Sequence, residues 1–399
     1  MTMKIACAVA FAAVAFASDC AAESGDSVLT LADAKARALA GHPALAASRA
    51  QLDAARSRRA DAGRLKNPVL SAEVENFGAT AARREATLRL GQTLELGGDR
   101  SARAGLADAQ IALLEADGGA ERRALLSETA GRFLDAWAAQ ERLLALRDAE
   151  RLATEAVRAA DARHRAGAAL VTERVRAEGQ QALRTLERTK AEAELALARR
   201  LLAAQWGDTA AAFGRLDPGE EPASDAPFRH PQSARAAAEL AVQEARLREA
   251  HAARVPDLDL EFGVRRLSET QKTGFVAGVA LPLPLWNAQG SGVAAAEAEI
   301  AAARARAGSA ERALRAEFES ARAHVVAAAT ARGELARIKD ISQDALRQVG
   351  IAYRAGRLGY TDLVDAQRAL READLAITEA TVELWRAHVA LARLTGEEG

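Results

Sequence analysis

The sequence predicts a mainly α chain with a small β part: long coiled-coil helical hairpins plus two β-hairpins, arranged as an internal duplication. Three observations predict it. Roughly a quarter of the 399 residues are Ala and only 4 % are aromatic, which suits close-packed helices, since Ala loses no side-chain entropy in a helix and lets backbones approach. Two regions alternate apolar and polar residues with a period of two, the pattern of half-buried strands. Landmarks also recur in order at a nearly constant offset: His42-Pro43 and His230-Pro231 lie 188 residues apart, as do Pro68 and Pro256. His164-Arg165-Ala166-Gly167 and Tyr353-Arg354-Ala355-Gly356 lie 189 apart, as do Gly207 and Gly396. Each copy is far longer than a solenoid repeat, so this is a doubled domain.

Charge and hydropathy exclude several classes. With Lys+Arg 54 against Asp+Glu 55, the chain has no basic footprint, so no nucleic-acid partner is expected. At 49 % apolar residues it is too hydrophobic to be disordered. No apolar run reaches the ~20 residues of a spanning helix. That excludes a polytopic helical membrane protein but not a membrane protein built from strands.

In chain order, Lys4, the apolar run Ile5 to Ala17 and small residues through Ala22 read as a secretory signal over 1–22, cleaved after Ala22. Both cysteines, Cys7 and Cys20, fall in this stretch, so the mature body carries no disulfide. Cys20 is a candidate lipidation site, although Asp19 precedes it where such signals favour a small neutral residue. The first repeat is expected over 23–206, a linker over 207–229 with Asp217-Pro218-Gly219, Pro222 and Pro227, and the second repeat over 230–399.

Within the first repeat, Leu31 to about Leu65 reads as one helix with Thr30 as N-cap, stopped by Asn67-Pro68. Hairpins are predicted at 69–78 with 84–96 and at 257–266 with 274–285; Leu88, Leu90 and Leu94 alternate with Thr87, Arg89 and Thr93. The proline-free run Asp99 to Arg165 predicts a helix of about 100 Å, returning over Thr172 to Trp206. Ser291 to Arg354 and Thr361 to Thr395 repeat that hairpin, with Gly167 and Gly356 at the turns and Thr172 and Thr361 as caps. A ten-residue tilted strand can cross a bilayer, but only in a closed barrel. Four strands cannot close one, so the strands are either soluble hairpins or are pooled by several chains, three of which would supply twelve.

The doubled layout, the paired hairpins and three motifs resemble the TolC family of outer-membrane efflux channels over nearly the whole mature chain. The motifs are Gln92-Thr93-Leu94-Glu95-Leu96-Gly97-Gly98, Leu281-Pro282-Leu283-Pro284-Leu285-Trp286-Asn287, and Tyr353-Arg354-Ala355-Gly356 followed by Asp362-Leu363-Val364-Asp365-Ala366. The first two most resemble the heavy-metal (cobalt–zinc–cadmium) branch. The resemblance implies a homotrimer with a twelve-strand β-barrel in outer-membrane lipid and an α-helical tunnel across the periplasm. It further implies a periplasmic membrane-fusion adaptor and an inner-membrane proton-driven pump of the RND type as partners, with heavy-metal cations as cargo. Drug efflux or type I secretion through the same fold, or a soluble periplasmic coiled-coil scaffold, are the other readings.

The resemblance also assigns sites. Arg165, Gly167, Leu170, Arg354, Gly356 and Leu358 would be adaptor-contacting tips. Asp362 and Asp365, on one helix face, would line the periplasmic aperture as stacked acidic rings, and Tyr353 would help hold the gate shut. In the first copy Glu173 stands at the place of Asp362 and Arg176 at that of Asp365. Read on its own, Asp362 is simply a favourable acid at a helix start. No nucleophile or phosphate-loop motif appears, and the six His are scattered. No enzyme, cofactor or resident metal is expected.

Overall fold

The computed structural model describes residues 28–75, 84–221, 228, 231–267, 269–285 and 290–396. The expected signal over 1–22, Cys20, the first hairpin's tip, Trp286-Asn287 and Pro222 to Pro227 lie outside the described residues. Short strand β1 (Leu29–Thr30) pairs in parallel with β4 (Leu216–Asp217). Thr30 caps α1 (Leu31–Gly41) in a capping box: its Oγ1 accepts from Asp33 N–H at 3.1 Å, and Asp33 Oδ2 accepts from Thr30 N–H at 3.3 Å.

The single helix expected over 31–65 is two. His42 is extended (φ −76°, ψ 125°), and α2 runs from Pro43 to Ala62. The residue before a proline is pushed out of the helical region, while Pro43 at the first position loses no useful N–H. His42 Nδ1 accepts from Ala44 N–H at 3.2 Å and so caps the second piece. The repeat marker His-Pro is thus a helix joint.

The long helices match the predicted spans closely. Helix α3 runs Asp99–Arg165 and α6 runs Gly290–Arg354, with 67 and 65 residues. Each returns antiparallel, as α4 (Val171–Ala203) and α7 (Tyr360–Thr395); between α4 and the linker stands a single 3-10 turn, Ala204–Trp206. Helix α5 (Pro231–Ala252) is the second copy's counterpart of α2. The turns close identically. Ala168 N–H donates to Arg163 O at 2.8 Å and Gly167 N–H to His164 O at 2.9 Å; Arg357 N–H and Gly356 N–H repeat this on Ala352 O and Tyr353 O at 2.9 and 3.0 Å. This double bond pattern needs a left-handed residue, and Gly167 (φ 69°) and Gly356 (φ 75°) supply it. The expected threonine caps are not used: the N-caps are Leu170 and Gly359. Because the turns are one residue tighter than read, Thr172 and Thr361 already lie inside their helices.

Where α1, α3, α4 and β4 meet, Phe133, Leu134, Leu202 and Leu216 are fully buried against Leu29, Leu31 and Trp385. A second cluster gathers Phe318, Val325, Leu384, Leu391 and Leu394, and elsewhere Ala is the commonest buried residue, as at Ala156, Ala160 and Ala177. Thin helix–helix seams therefore form most of the core.

The two hairpins join into one antiparallel sheet, ordered β2 (Val69–Glu75), β3 (Glu85–Leu94), β5 (Leu258–Leu267), β6 (Lys272–Ala280). Strand β6 stops five residues short of the expected end, since Pro282 and Pro284 cannot donate to a ladder. Its start is two residues earlier, which tightens the second turn. Register separates the two faces. Leu70, Leu90, Phe262 and Ala277 align across the sheet, as do Ala72, Leu88, Val264 and Phe275. These side chains face outward, with Phe275 95 % and Leu70 67 % exposed. The opposite face is polar: Arg89 pairs with Glu73 at 2.7 Å, and Arg265 with Glu85 at 3.2 Å. Strands β2 and β6 are open edges.

At the strand-to-helix joint, Glu95 is buried (4 % exposed) and held by Arg103 Nη1 at 2.5 Å; Lys66 sits 3.9 Å from Glu95 and 2.7 Å from Asp257. Gly98 is left-handed (φ 80°), and a Cβ on Gly97 would strike the Ala252 carbonyl. Glu95→Gln leaves Arg103 without its counter-charge and is expected to cost about 3 kcal/mol, read as a lower unfolding midpoint. Gly97→Ala should destabilise at least as much; an unchanged midpoint for both would refute this account of the joint.

Candidate gate at the helical hairpin tips

The two hairpin tips meet about 100 Å from the sheet, at the far ends of α3 and α6. The family resemblance places Tyr353, Asp362 and Asp365 here. The structure brings the first of these into a buried polar knot and leaves the other two at the surface. Tyr353, in the last turn of α6, is 1 % exposed. Its hydroxyl donates to Glu173 Oε1 on α4 at 2.5 Å. Burial, and after it the hydrogen bond to Glu173, push the phenol above its ordinary range. The proton therefore stays on Tyr353, and Glu173 Oε1 accepts the hydrogen bond.

Arg163, in the last turn of α3, completes the knot. Its Nη1 donates to Tyr353 O at 2.9 Å and to Leu358 O at 3.3 Å. Its guanidinium lies 4.5 Å over the Tyr353 ring, and its Nε lies 3.9 Å from Glu173. One cation thus ends the second hairpin's helix, satisfies a turn carbonyl and covers the aromatic ring. Tyr360 packs 6.3 Å from Tyr353, and Leu363 closes the apolar floor with Ala156, Ala160 and Ala177. The first and second repeats are locked together through these contacts.

Asp362 lies on α7 three residues after Gly359, and its Oδ2 accepts from Gly359 N–H at 2.9 Å. Asp365, one turn on, sits 3.5 Å from Arg368. Both are exposed, share a face and are free of the Tyr353 knot. Within one chain Asp362 therefore does the work of an acid at a helix start, and both carboxylates remain available to whatever approaches that face.

Among the expected tip residues, Leu170 is 76 % and Leu358 36 % exposed. Arg165 pairs with Asp161, and Arg354 Nε donates to Gly350 O at 3.2 Å. Gly167 and Gly356 form the turns themselves. These side chains stand outside the knot and form the end surface of the chain.

Sequence reasoning missed Arg163, Tyr360 and the partnership of Glu173. The signal was a break in the repeat. In the sequence Glu173 marks only the first copy's departure from Asp362, yet a buried tyrosine hydroxyl requires an acceptor. Arg163 corresponds, at the repeat offset, to Ala352. A long cation facing a small residue across a duplication marks a contact between the copies.

Among the described residues no group of three or more His, Cys, Asp or Glu is placed to hold a metal ion, and no helix is long and apolar enough to cross a membrane. The outer membrane efflux protein family matches the chain twice, over residues 36–208 and 223–397. The chain is 26 % identical over 385 residues to the cobalt-zinc-cadmium resistance protein CzcC of Cupriavidus metallidurans, covering 92 % of this chain and 90 % of that one. It is 30 % identical over 282 residues to the nickel and cobalt resistance protein CnrC of the same organism, covering 68 % and 67 %. Among solved structures, the outer membrane protein VceC of Vibrio cholerae superposes with a TM-score of 0.75 at 17 % identity, over 92 % of this chain and 96 % of that one. With the fold shared end to end and the family matched once in each repeat, the chain belongs to the outer membrane efflux proteins: a TolC-like outer-membrane channel reaching into the periplasm, a transport duct rather than an enzyme.

Proposed function

We propose that three copies of this chain form the exit duct of a tripartite, proton-driven (RND-type) efflux system whose cargo is heavy-metal cations. The observation that carries the assembly is the four-stranded sheet with one apolar outer face and two open edges. In lipid an open edge leaves backbone groups unbonded, so β6 of one copy must find β2 of the next until the ring closes. Three copies would make twelve strands. Metal cargo is supported by the resistance named for CzcC and CnrC and by the Glu95-Leu96-Gly97-Gly98 motif at the joint. On this reading the signal over 1–22 exports the chain, and 207–229 links repeats 23–206 and 230–399.

The tips would meet the periplasmic adaptor through Arg165, Gly167, Leu170, Arg354, Gly356 and Leu358, with the inner-membrane pump behind it. The duct is passive, so its gate is a matter of which tip arrangement is populated. The Tyr353–Glu173–Arg163 knot favours the closed arrangement, because its partners lie on different hairpins. Asp362 and Asp365, repeated threefold, would form two stacked acidic rings that attract and hold cations at the constriction.

Four measurements test these claims. The protein should fractionate with the outer membrane as a heat-sensitive trimer; a soluble monomer sinks the duct and favours a periplasmic scaffold. A hydrogen bond to a charged group contributes about 2 kcal/mol, so Tyr353→Phe should raise the open population roughly thirtyfold, seen as larger conductance in planar bilayers. Asp362→Ala with Asp365→Ala should abolish block by divalent cations, and unchanged block removes the rings from the mechanism. Deleting the chain should lower tolerance to zinc, cobalt or cadmium. Loss of drug tolerance alone would instead point to small-molecule efflux.

A further inference from the structure

The strands meet the helical body at one end of the sheet and turn back at the other. Near the turning end, the outward face holds a shallow groove of about 350 Å³. Register makes it. Ala72 stands opposite Leu88 and Ala86 opposite Val74, so small and large residues alternate diagonally across β2 and β3. Val264 on β5 stands opposite Leu88 and forms the next wall. Val74, Leu88 and Val264 are exposed, and they give the groove an apolar lining.

Arg266 ends the groove. It stands opposite Ala86, is exposed and shares the outward face. Leu258, Leu260, Phe262 and Val264 precede it on that face, about 20 Å of apolar strand. Arg266 is thus the first charge on the outward face of β5, where an apolar band gives way to headgroups. Arg84, directly before β3, is exposed and falls two residues before Ala86 in the same alternation, which makes it a diagonal neighbour of Arg266. Among the described residues neither arginine pairs with an acid. Arg84 makes no hydrogen bond, and Arg266 Nη2 donates to the neutral amide of Gln271 at 3.1 Å. Glu73 reaches the groove from the polar face but is held by Arg89 at 2.7 Å, and Glu85 by Arg265 at 3.2 Å. Two uncompensated guanidiniums above an apolar trough are complementary to a lipid with a doubly charged phosphate, because guanidinium forks match phosphate oxygens.

We propose that this groove binds a membrane lipid with a phosphate monoester headgroup, in the leaflet away from the periplasm. The phosphate accepts from Arg84 and Arg266, and one acyl chain lies over Ala72, Ala86 and Val264. The site is complete within one copy. It rests on the barrel reading, since only in a barrel does this face meet lipid, but not on the cargo, because none of its walls faces the lumen.

The probes are phosphatidic acid and phosphatidylcholine of equal chain length, offered together to the full-length protein in detergent, with bound lipid counted by native mass spectrometry. Phosphatidic acid should be retained about tenfold over phosphatidylcholine. Arg84→Gln with Arg266→Gln should abolish that preference while the heat-sensitive trimer persists. If this variant does not assemble, Ala86→Phe, which fills the groove and keeps both charges, should lower retention of phosphatidic acid. Equal retention of the two lipids, or an undiminished preference in the variants, would overturn the proposal. Assembly is read on the same samples. A trimer without lipid preference overturns this site alone, whereas a chain that forms no trimer overturns the duct and the site together.

Discussion

An unpaired strand edge presents a row of N–H and C=O groups that hydrocarbon cannot bond. Strands β2 and β6 carry such edges on either side of a sheet whose outward face is Leu, Val and Phe. In water that face would be an aggregation hazard. In lipid it is an asset, but only if both edges find partners. The constraint propagates through the chain. Duplication supplies two hairpins, β3–β5 pairing joins them in one register, and the joint at Glu95 and Gly97 fixes where strands give way to helices. Beneath the sheet, a helix of 67 residues has no large core to bury. Alanine seams answer this, since close approach of backbones replaces bulky side chains.

Much of this was legible in the residues. Helices α3 and α6 are legible to within a residue because no proline interrupts them and a glycine turn ends each. The strands were legible because their two faces differ so sharply. Errors gathered where local chemistry competes. His42-Pro43 marks the repeat and also breaks the helix, because a proline constrains the residue before it. The alternation runs past the end of β6 because Leu281, Leu283 and Leu285 continue it while Pro282 and Pro284 forbid the ladder. Periodicity alone does not register a missing donor.

The site was less legible than the fold, for a physical reason. Motifs lie along one stretch of chain, whereas the knot at the tips joins α3, α4 and α6 through residues up to 190 positions apart. Tyr353 stands in a recognisable motif, but its acceptor and its covering cation do not. What the sequence did hold was the duplication, and the useful signal was where the copies disagree. Glu173 against Asp362 and Arg163 against Ala352 are differences that matching residues could never have turned into a mutual contact.

That disagreement also bears on how the tips could move. Each hairpin is tied internally along its length: Thr185 and Arg188 on α4 hold Glu150 on α3 at 2.7 Å, and Lys339 on α6 holds Asp374 on α7 at 2.9 Å. Ties between the hairpins are sparser. Arg386 meets Asp135 at 2.7 Å near the base, Gln367 reaches Leu152 O at 3.2 Å partway down, and the knot closes the tip. Two stiff rods joined near the base and clasped at the tip respond to release of the clasp by splaying, not by unravelling. Only the tip contacts need break, and they are few and polar, so water can replace them at modest cost. Under the gate role proposed for the knot, the apolar floor of Ala156, Ala160 and Leu363 would then be the main resistance to opening, and larger residues there would either clasp more tightly or fail to close.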